Sequence, residues 1–328
     1  MSRKPLCLIY GTSGFDFDVT MNMFRLYERL GYRVLCGTHV IPCDLLVFQR
    51  GHKIPEHEAQ RLDMAGYIHI YQYVGNDMSG MVASVADRPY SIIAPSKELL
   101  SASGAPQNNW IVGGPPVYPE LWCAGGGELG RIEYNCVHIG HRKKASADDF
   151  FIRQLDLLLQ TGTIDVWGLG WDEIAPQSRC HGKSQLLKVS TIYAKSAYAL
   201  GVMYPYQRTA GTFSGRFWHG PINGTVILSE PSPMVGVIPG VVETDYTNVD
   251  LASDVDLQKR KELARQSRAY WQARMDQLEH SLMERTTGSA SAHGYTAGIT
   301  GLSANNWLWN AHFHITYMRL RYANRPRA

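Results

Sequence analysis

The chain has 328 residues, 45% hydrophobic, 11% aromatic and 19% charged, with a formal net charge of +3. That length accommodates two ordinary domains with cores of useful size, and aromatic content with aperiodic glycine and proline excludes a disordered or collagen-like chain. The charge is compatible with a polyanionic partner without demanding one. No apolar stretch is long enough to span a bilayer, and the short apolar run after Met1-Ser2-Arg3-Lys4-Pro5 does not read as a secretory signal. Six cysteines (Cys7, Cys36, Cys43, Cys123, Cys136 and Cys180) form no CxxC pair and predict reduced, mostly buried thiols of a cytoplasmic protein.

In chain order, Leu6–Tyr10 reads as a buried strand and Gly11-Thr12-Ser13-Gly14 as a tight turn. Val19–Leu30 carries apolar residues at helical spacing and Gly31 closes it. Tyr32–Cys36 follows as the second strand of a βαβ unit, with its glycine turn at the carboxyl end of a strand, where open α/β sheets bind ligands. Further strands are predicted over Asp44–Phe48, Ile68–Tyr73, Ser91–Ala94 and Trp110–Val112, with helices over Glu56–Ala65 and, after a Ser96 N-cap, Lys97–Ser103. Cys123-Ala124-Gly125-Gly126-Gly127 suits neither helix nor strand and reads as a linker.

The alternation then restarts. Strands are predicted at Asn135–Ile139, Ile164–Trp167 and Thr225–Leu228, a helix at Ala147–Gln160, and another buried element between Leu186 and Ala199. Asp256–Arg285 reads as a long charged helix with Leu257, Leu263, Tyr270, Leu278 and Leu282 as packing positions. Gly288–Gly301 reads as a surface connection, and Trp307, Trp309, Phe313 and Tyr317 as a closing helix. The expected organisation is an N-terminal Rossmann-like domain (1–122), a linker (123–130), a second Rossmann-like domain (131–285) and a C-terminal extension (286–328) that packs back on the first. Facing carboxyl ends of strands in two such domains would leave a cleft for a small ligand.

Ser91-Ile92-Ile93-Ala94-Pro95-Ser96, followed by Gly113-Gly114-Pro115-Pro116-Val117-Tyr118-Pro119-Glu120-Leu121-Trp122, resembles the end of the N-terminal domain of GT-B glycosyltransferases. Within that fold the chain resembles the spore-maturation type and, more distantly, the DNA β-glucosyltransferases of T-even phages. The resemblance implies roles for several residues. Arg216, in Arg216-Phe217-Trp218-His219, matches an arginine that contacts the donor diphosphate, a task suited to a planar guanidinium. His219 stands where the family has a ribose-binding glutamate, and an imidazole accepts one hydroxyl where a carboxylate accepts two. Gly140, Arg142 and Lys143 match a glycine turn with basic residues facing the pyrophosphate. Gly168, Gly170 and Trp171 resemble a GxGW turn near the base, and Tyr193 precedes a helix position close to the donor.

An inverting transferase needs a carboxylate to take the acceptor's proton. Asp77, after the strand ending at Tyr73, is the first candidate, in a setting similar to the phage enzymes; a turn-shaping role is its alternative. Asp16 and Asp18 are rivals, and an N-capping role competes with their DxD-like spelling. No histidine pattern matches a zinc motif, so neither metal nor cofactor is expected. The implied activity is metal-independent, inverting transfer of a sugar from a nucleotide sugar, with a UDP-sugar as the expected donor. The acceptor is a hydroxymethylated DNA base, a glycan or a small metabolite, DNA drawing on the terminal Arg319, Arg321, Arg325 and Arg327. A sugar-nucleotide epimerase or phosphorylase, or a binding protein on a decayed scaffold, are the competing classes.

Overall fold

The computed structural model describes residues 4–11, 17–49, 54, 56–73, 78–124, 129–142, 149–203, 208, 214–232, 235–247, 251, 255–286 and 315–318. These form two compact units, the described residues within 1–118 and 273–319, and those within 119–272. The division falls between Tyr118 and Pro119, whereas the sequence reading puts its linker at 123–130, and it recurs inside the long helix.

The first unit runs β1 (Leu6–Tyr10), α1 (Phe17–Arg29), β2 (Arg33–Gly37), β3 (Cys43–Phe48), α2 (Glu56–Ala59), β4 (Ala65–Tyr71), α3 (Ser79–Val85), β5 (Tyr90–Ala94), α4 (Lys97–Ala102) and β6 (Trp110–Val112). Its sheet has the order β2-β1-β3-β4-β5-β6, and every pairing is parallel. Strands β1 and β5 are buried throughout, which explains the unbroken apolar sequence of β1 and the single polar residue, Ser91, of β5: both faces of a parallel sheet are covered. Gly31 ends α1 with φ +90°, while Gly31 N–H donates to Glu28 and Tyr32 N–H to Tyr27, closing the helix in a Schellman motif. The Ser96 cap forms as expected, accepting from the Leu99 N–H at 3.3 Å.

One helix over Glu56–Ala65 does not form. Helix α2 ends at Ala59, a 3-10 turn covers Leu62–Met64, and Ala65 already begins β4. The ladder decides this, since Cys43 lies opposite Ala65 and Leu45 opposite Tyr67.

The second unit runs α5 (Pro119–Trp122), β7 (Tyr134–Ile139), α6 (Phe150–Gln160), β8 (Asp165–Trp167), α7 (Leu186–Ala194), β9 (Ser196–Leu200), α8 (Arg216–Ile222), β10 (Val226–Ser229) and β11 (Val241–Glu243). Its sheet order is β11-β10-β9-β7-β8, again all parallel. Asp149 caps α6, accepting from the Phe151 and Ile152 N–H groups.

Helix α9 (Leu257–Thr286) gives its first half to the second unit and its last turns to the first. Its buried stripe is Arg260, Ala264, Ser267, Trp271, Met275, Leu278 and Leu282, spaced by three and four residues. Leu278 and Leu282 were expected there. Leu257 is instead exposed, and Leu263 and Tyr270 are half-buried. No helix among the described residues is long and apolar enough to cross a membrane. All six cysteines are unpaired thiols, five of them buried.

Candidate functional site

In the second sheet the chain moves from β7 outward to β8 and then returns to place β9 on the other side of β7. The strand order reverses between β7 and β9, and open α/β sheets bind ligands outside the carboxyl ends of strands at such a reversal. The residues that follow these ends are Gly140, after β7, and Gly201-Val202, after β9.

Two glycine turns interlock at this edge. Gly140 N–H donates to the Trp167 carbonyl, and Arg142 N–H to that of Leu169. Trp171 returns its indole N–H to the Gly140 carbonyl at 2.7 Å, and His141 Nδ1 accepts from the Leu169 N–H at 2.9 Å. The approach is so close that a Cβ on Gly168 would lie 1.9 Å from the Gly140 oxygen. Glycine is therefore a steric requirement of the GxGW turn. Trp171 is buried against the core that includes Cys136, Ile152, Leu155 and Val166.

Arg216, the first residue of α8, lies across the reversal. Its Nε donates to the Ile139 carbonyl at 2.8 Å, and its Nη1 to the Val202 carbonyl at 3.0 Å and to Ser214 Oγ at 3.2 Å. A Cβ on Gly140 would stand 2.2 Å from Nη2, so the missing side chain at Gly140 makes room for the guanidinium. No carboxylate pairs with Arg216 among the described residues. Its neighbour His138 is buried, and burial together with the positive charge of Arg216 holds that imidazole well below its ordinary range. The edge of the sheet thus carries a histidine disfavoured from protonation and a cation with no carboxylate partner among the described residues.

The other candidates fare differently. Arg142 is paired with Asp156 of α6 at 3.1 Å, so its charge is compensated within the unit. His219 is 4% exposed and sits among the rings of Trp122, Tyr193 and Trp218. Tyr193 is buried as well. Asp18 occupies the first turn of α1, where a carboxylate complements the helix dipole. Asp77, Asp16 and Lys143 lie outside the described residues, as do the arginines from 319 onward.

Sequence reasoning overlooked a second guanidinium in this unit. Arg208 donates to the Met203 carbonyl at 3.0 Å and pairs with both Glu230, at 3.2 Å, and Asp149. Glu230 is fully buried and also accepts from Met203 N–H at 2.6 Å and Tyr246 Oη at 2.7 Å. Two carboxylates surround one guanidinium, so this cluster is a strut and offers no surplus positive charge to an anion. No spacing signal reveals it, because the partners come from four separate segments.

Two parallel-sheet α/β units of this kind constitute the GT-B fold. Among solved structures, a DNA-modifying β-glucosyltransferase, determined with and without its substrate uridine diphosphoglucose, matches with a TM-score of 0.55 at 11% identity, over 86% of this chain and 99% of that one. Anabaena HepE (Alr3699) in complex with UDP-glucose matches with a TM-score of 0.56 at 10% identity, over 87% of this chain and 100% of that one. At such identities the likeness is one of fold. No protein-family model matches the sequence, and no curated protein matches it.

Proposed function

We propose that the chain is a nucleotide-sugar-dependent glycosyltransferase whose donor diphosphate lies at the β7/β9 reversal. The observation that carries this reading is Arg216, fixed across two strand ends by backbone carbonyls and left without a carboxylate partner among the described residues. A charge held in place before the ligand arrives stabilises a departing diphosphate without reorganising. The ligands of the two solved structures, uridine diphosphoglucose and UDP-glucose, favour a UDP-sugar as donor. In the reaction the acceptor oxygen attacks the anomeric carbon, the bond from that carbon to the phosphate oxygen breaks, and the nucleoside diphosphate leaves. The hydroxyl proton passes to a carboxylate, for which Asp77 is the first choice and Asp16 and Asp18 the others. Gly140, Gly168, Gly170 and Trp171 shape the turn beside the donor, with Arg142 and Lys143 at its rim. No metal enters this scheme.

The acceptor is a hydroxyl on DNA, a glycan or a small molecule. Binding to duplex DNA that weakens steeply with salt would select the first, because released counterions drive such binding. A non-catalytic nucleotide-binding role is the second reading, favoured by the enclosure of His219, which has an aromatic surround where a ribose-binding carboxylate is expected. Calorimetry with UDP and UDP-glucose, followed by assay of labelled sugar transfer, tests both. Binding with transfer supports the enzyme, binding alone supports the second reading, and no binding of any nucleotide removes the donor site.

A further inference from the structure

We propose that His39, His57 and Glu58 of the first unit form a binding site for a divalent transition-metal ion of the zinc type. The proposal does not rest on the glycosyl-transfer reading. His39 follows β2, while His57 and Glu58 lie on α2, so the fold brings together residues 19 positions apart that match no linear metal motif. The donor atoms of all three residues lie within 4.8 Å of one another.

The carboxylate is the organising group. Glu58 is fully buried, and Oε2 is held by the Val40 N–H at 2.7 Å. Oε1 faces both imidazoles, 2.7 Å from His39 Nδ1 and 3.6 Å from His57 Nε2. A buried carboxylate requires compensation by a cation or by hydrogen bonds. Here one oxygen is satisfied by the backbone, and the other is shared between two nitrogens that also serve as metal ligands.

Two imidazoles and one carboxylate are the donor set of three-ligand zinc sites, which leave a fourth position for water or substrate. Metal–ligand bonds of about 2.0–2.1 Å place tetrahedral donors roughly 3.3 Å apart. The shorter carboxylate–imidazole separation must therefore open and the longer one close, each by less than about an ångström, and the two imidazole nitrogens, within 4.8 Å of each other, must come to the same spacing. The rings have that freedom, since the His39 and His57 side chains are 41% and 72% exposed, and the same exposure gives the ion a path. The Val40 N–H supplies the outer-shell bond that orients the carboxylate. Tyr10 lies close enough that the Glu58 charge, after burial, contributes to raising its phenol above the ordinary range. His39 lies two residues beyond Gly37, which pairs with Tyr10 at the carboxyl end of β1.

The test is a Co2+ titration of the untagged, chelator-treated full chain, followed by visible ligand-field absorption and calorimetry, with Zn2+ as competitor. The expected result is one equivalent of Co2+ with a four-coordinate spectrum that Zn2+ displaces. H39A and H57A should each weaken binding by more than about tenfold, the lower end of what losing even an outer-shell partner costs. His57 is exposed, so H57A should keep the wild-type melting temperature without metal. H39A also removes a 2.7 Å partner of the buried Glu58 and should melt lower, so its metal affinity is read well below its midpoint. Absence of a spectrum and of heat in the wild type, or affinity unchanged in both variants, would overturn the proposal.

Discussion

Arg216 Nε donates to the Ile139 carbonyl at 2.8 Å, tying the first residue of α8 to the last residue of β7. The same guanidinium reaches Val202, beyond the end of β9, and so spans the point where the strand order reverses. This bond gives Arg216 a structural task in addition to its proposed contact with a diphosphate. The two tasks are separable by experiment.

Arg216→Ala should weaken UDP binding by about 1.5–3 kcal/mol, the range for a hydrogen bond to a charged group. It should also lower stability, because two carbonyls lose their donor. Arg216→Lys keeps the charge without the fork and should recover part of the affinity. Calorimetry with UDP and thermal melting read the two effects. UDP affinity equal to wild type in Arg216→Ala would exclude Arg216 from the donor site.

The two glycine turns predict opposite outcomes. Gly168→Ala sets a methyl 1.9 Å from backbone oxygen, which nothing flexible can relieve, and should cost several kcal/mol or prevent folding. Gly140→Ala collides with the end of the Arg216 side chain. It should displace the guanidinium and reduce nucleotide affinity more than stability. Urea denaturation and UDP titration of both variants check this contrast.

Asn223 is fully buried and joins three backbone groups. Its Nδ2 donates to the Trp122 and His219 carbonyls, and its Oδ1 accepts from the Ala124 N–H. Asn223→Ala leaves these groups unpaired and should destabilise the second unit by roughly 2–4 kcal/mol, since each abandoned buried group costs about 1–3 kcal/mol. The urea midpoint measures the loss, and a shift smaller than about 1 kcal/mol would contradict the assignment.

Asp149 yields a pH dependence. Partial burial pushes its carboxyl upward, but the Arg208 ion pair and the N–H groups of Ile152 and Phe151 outweigh that and lower it overall. A carboxylate depressed by folding stabilises the native state above its unfolded value, about 3.9 for aspartate, and ceases to do so as pH falls through the folded value. Asp149→Asn should therefore be less stable than wild type at pH 7, with the gap narrowing below about pH 4. Urea midpoints at neutral and acid pH give the comparison; an equal gap at both would count against the ion pair.

The sequence by itself determined the α/β alternation, because strands covered on both faces are written as apolar runs such as Leu6–Tyr10 and Ile92–Ala94. It also marked Gly31 and Ser96 as helix boundaries and singled out the turns at Gly140 and Gly168–Trp171, where backbone geometry demands particular residues. The buried stripe of α9 was only half legible. Arg260, a charged residue, lies inside it and satisfies its guanidinium on the carbonyls of Gly224, Gly130 and Ala194, so the apolar period is interrupted in the sequence but not in space.

Tertiary structure alone decided which cations are neutralised. Arg142, Arg208 and Arg216 are equivalent as letters, yet Arg142 meets Asp156, Arg208 meets Asp149 and Glu230, and Arg216 meets carbonyls. The approach of His39 to Glu58 likewise depends on how β2 and α2 come together. Local patterns are fixed by backbone sterics and burial over a few residues. Charge compensation depends on partners brought from distant segments, which only the folded chain specifies.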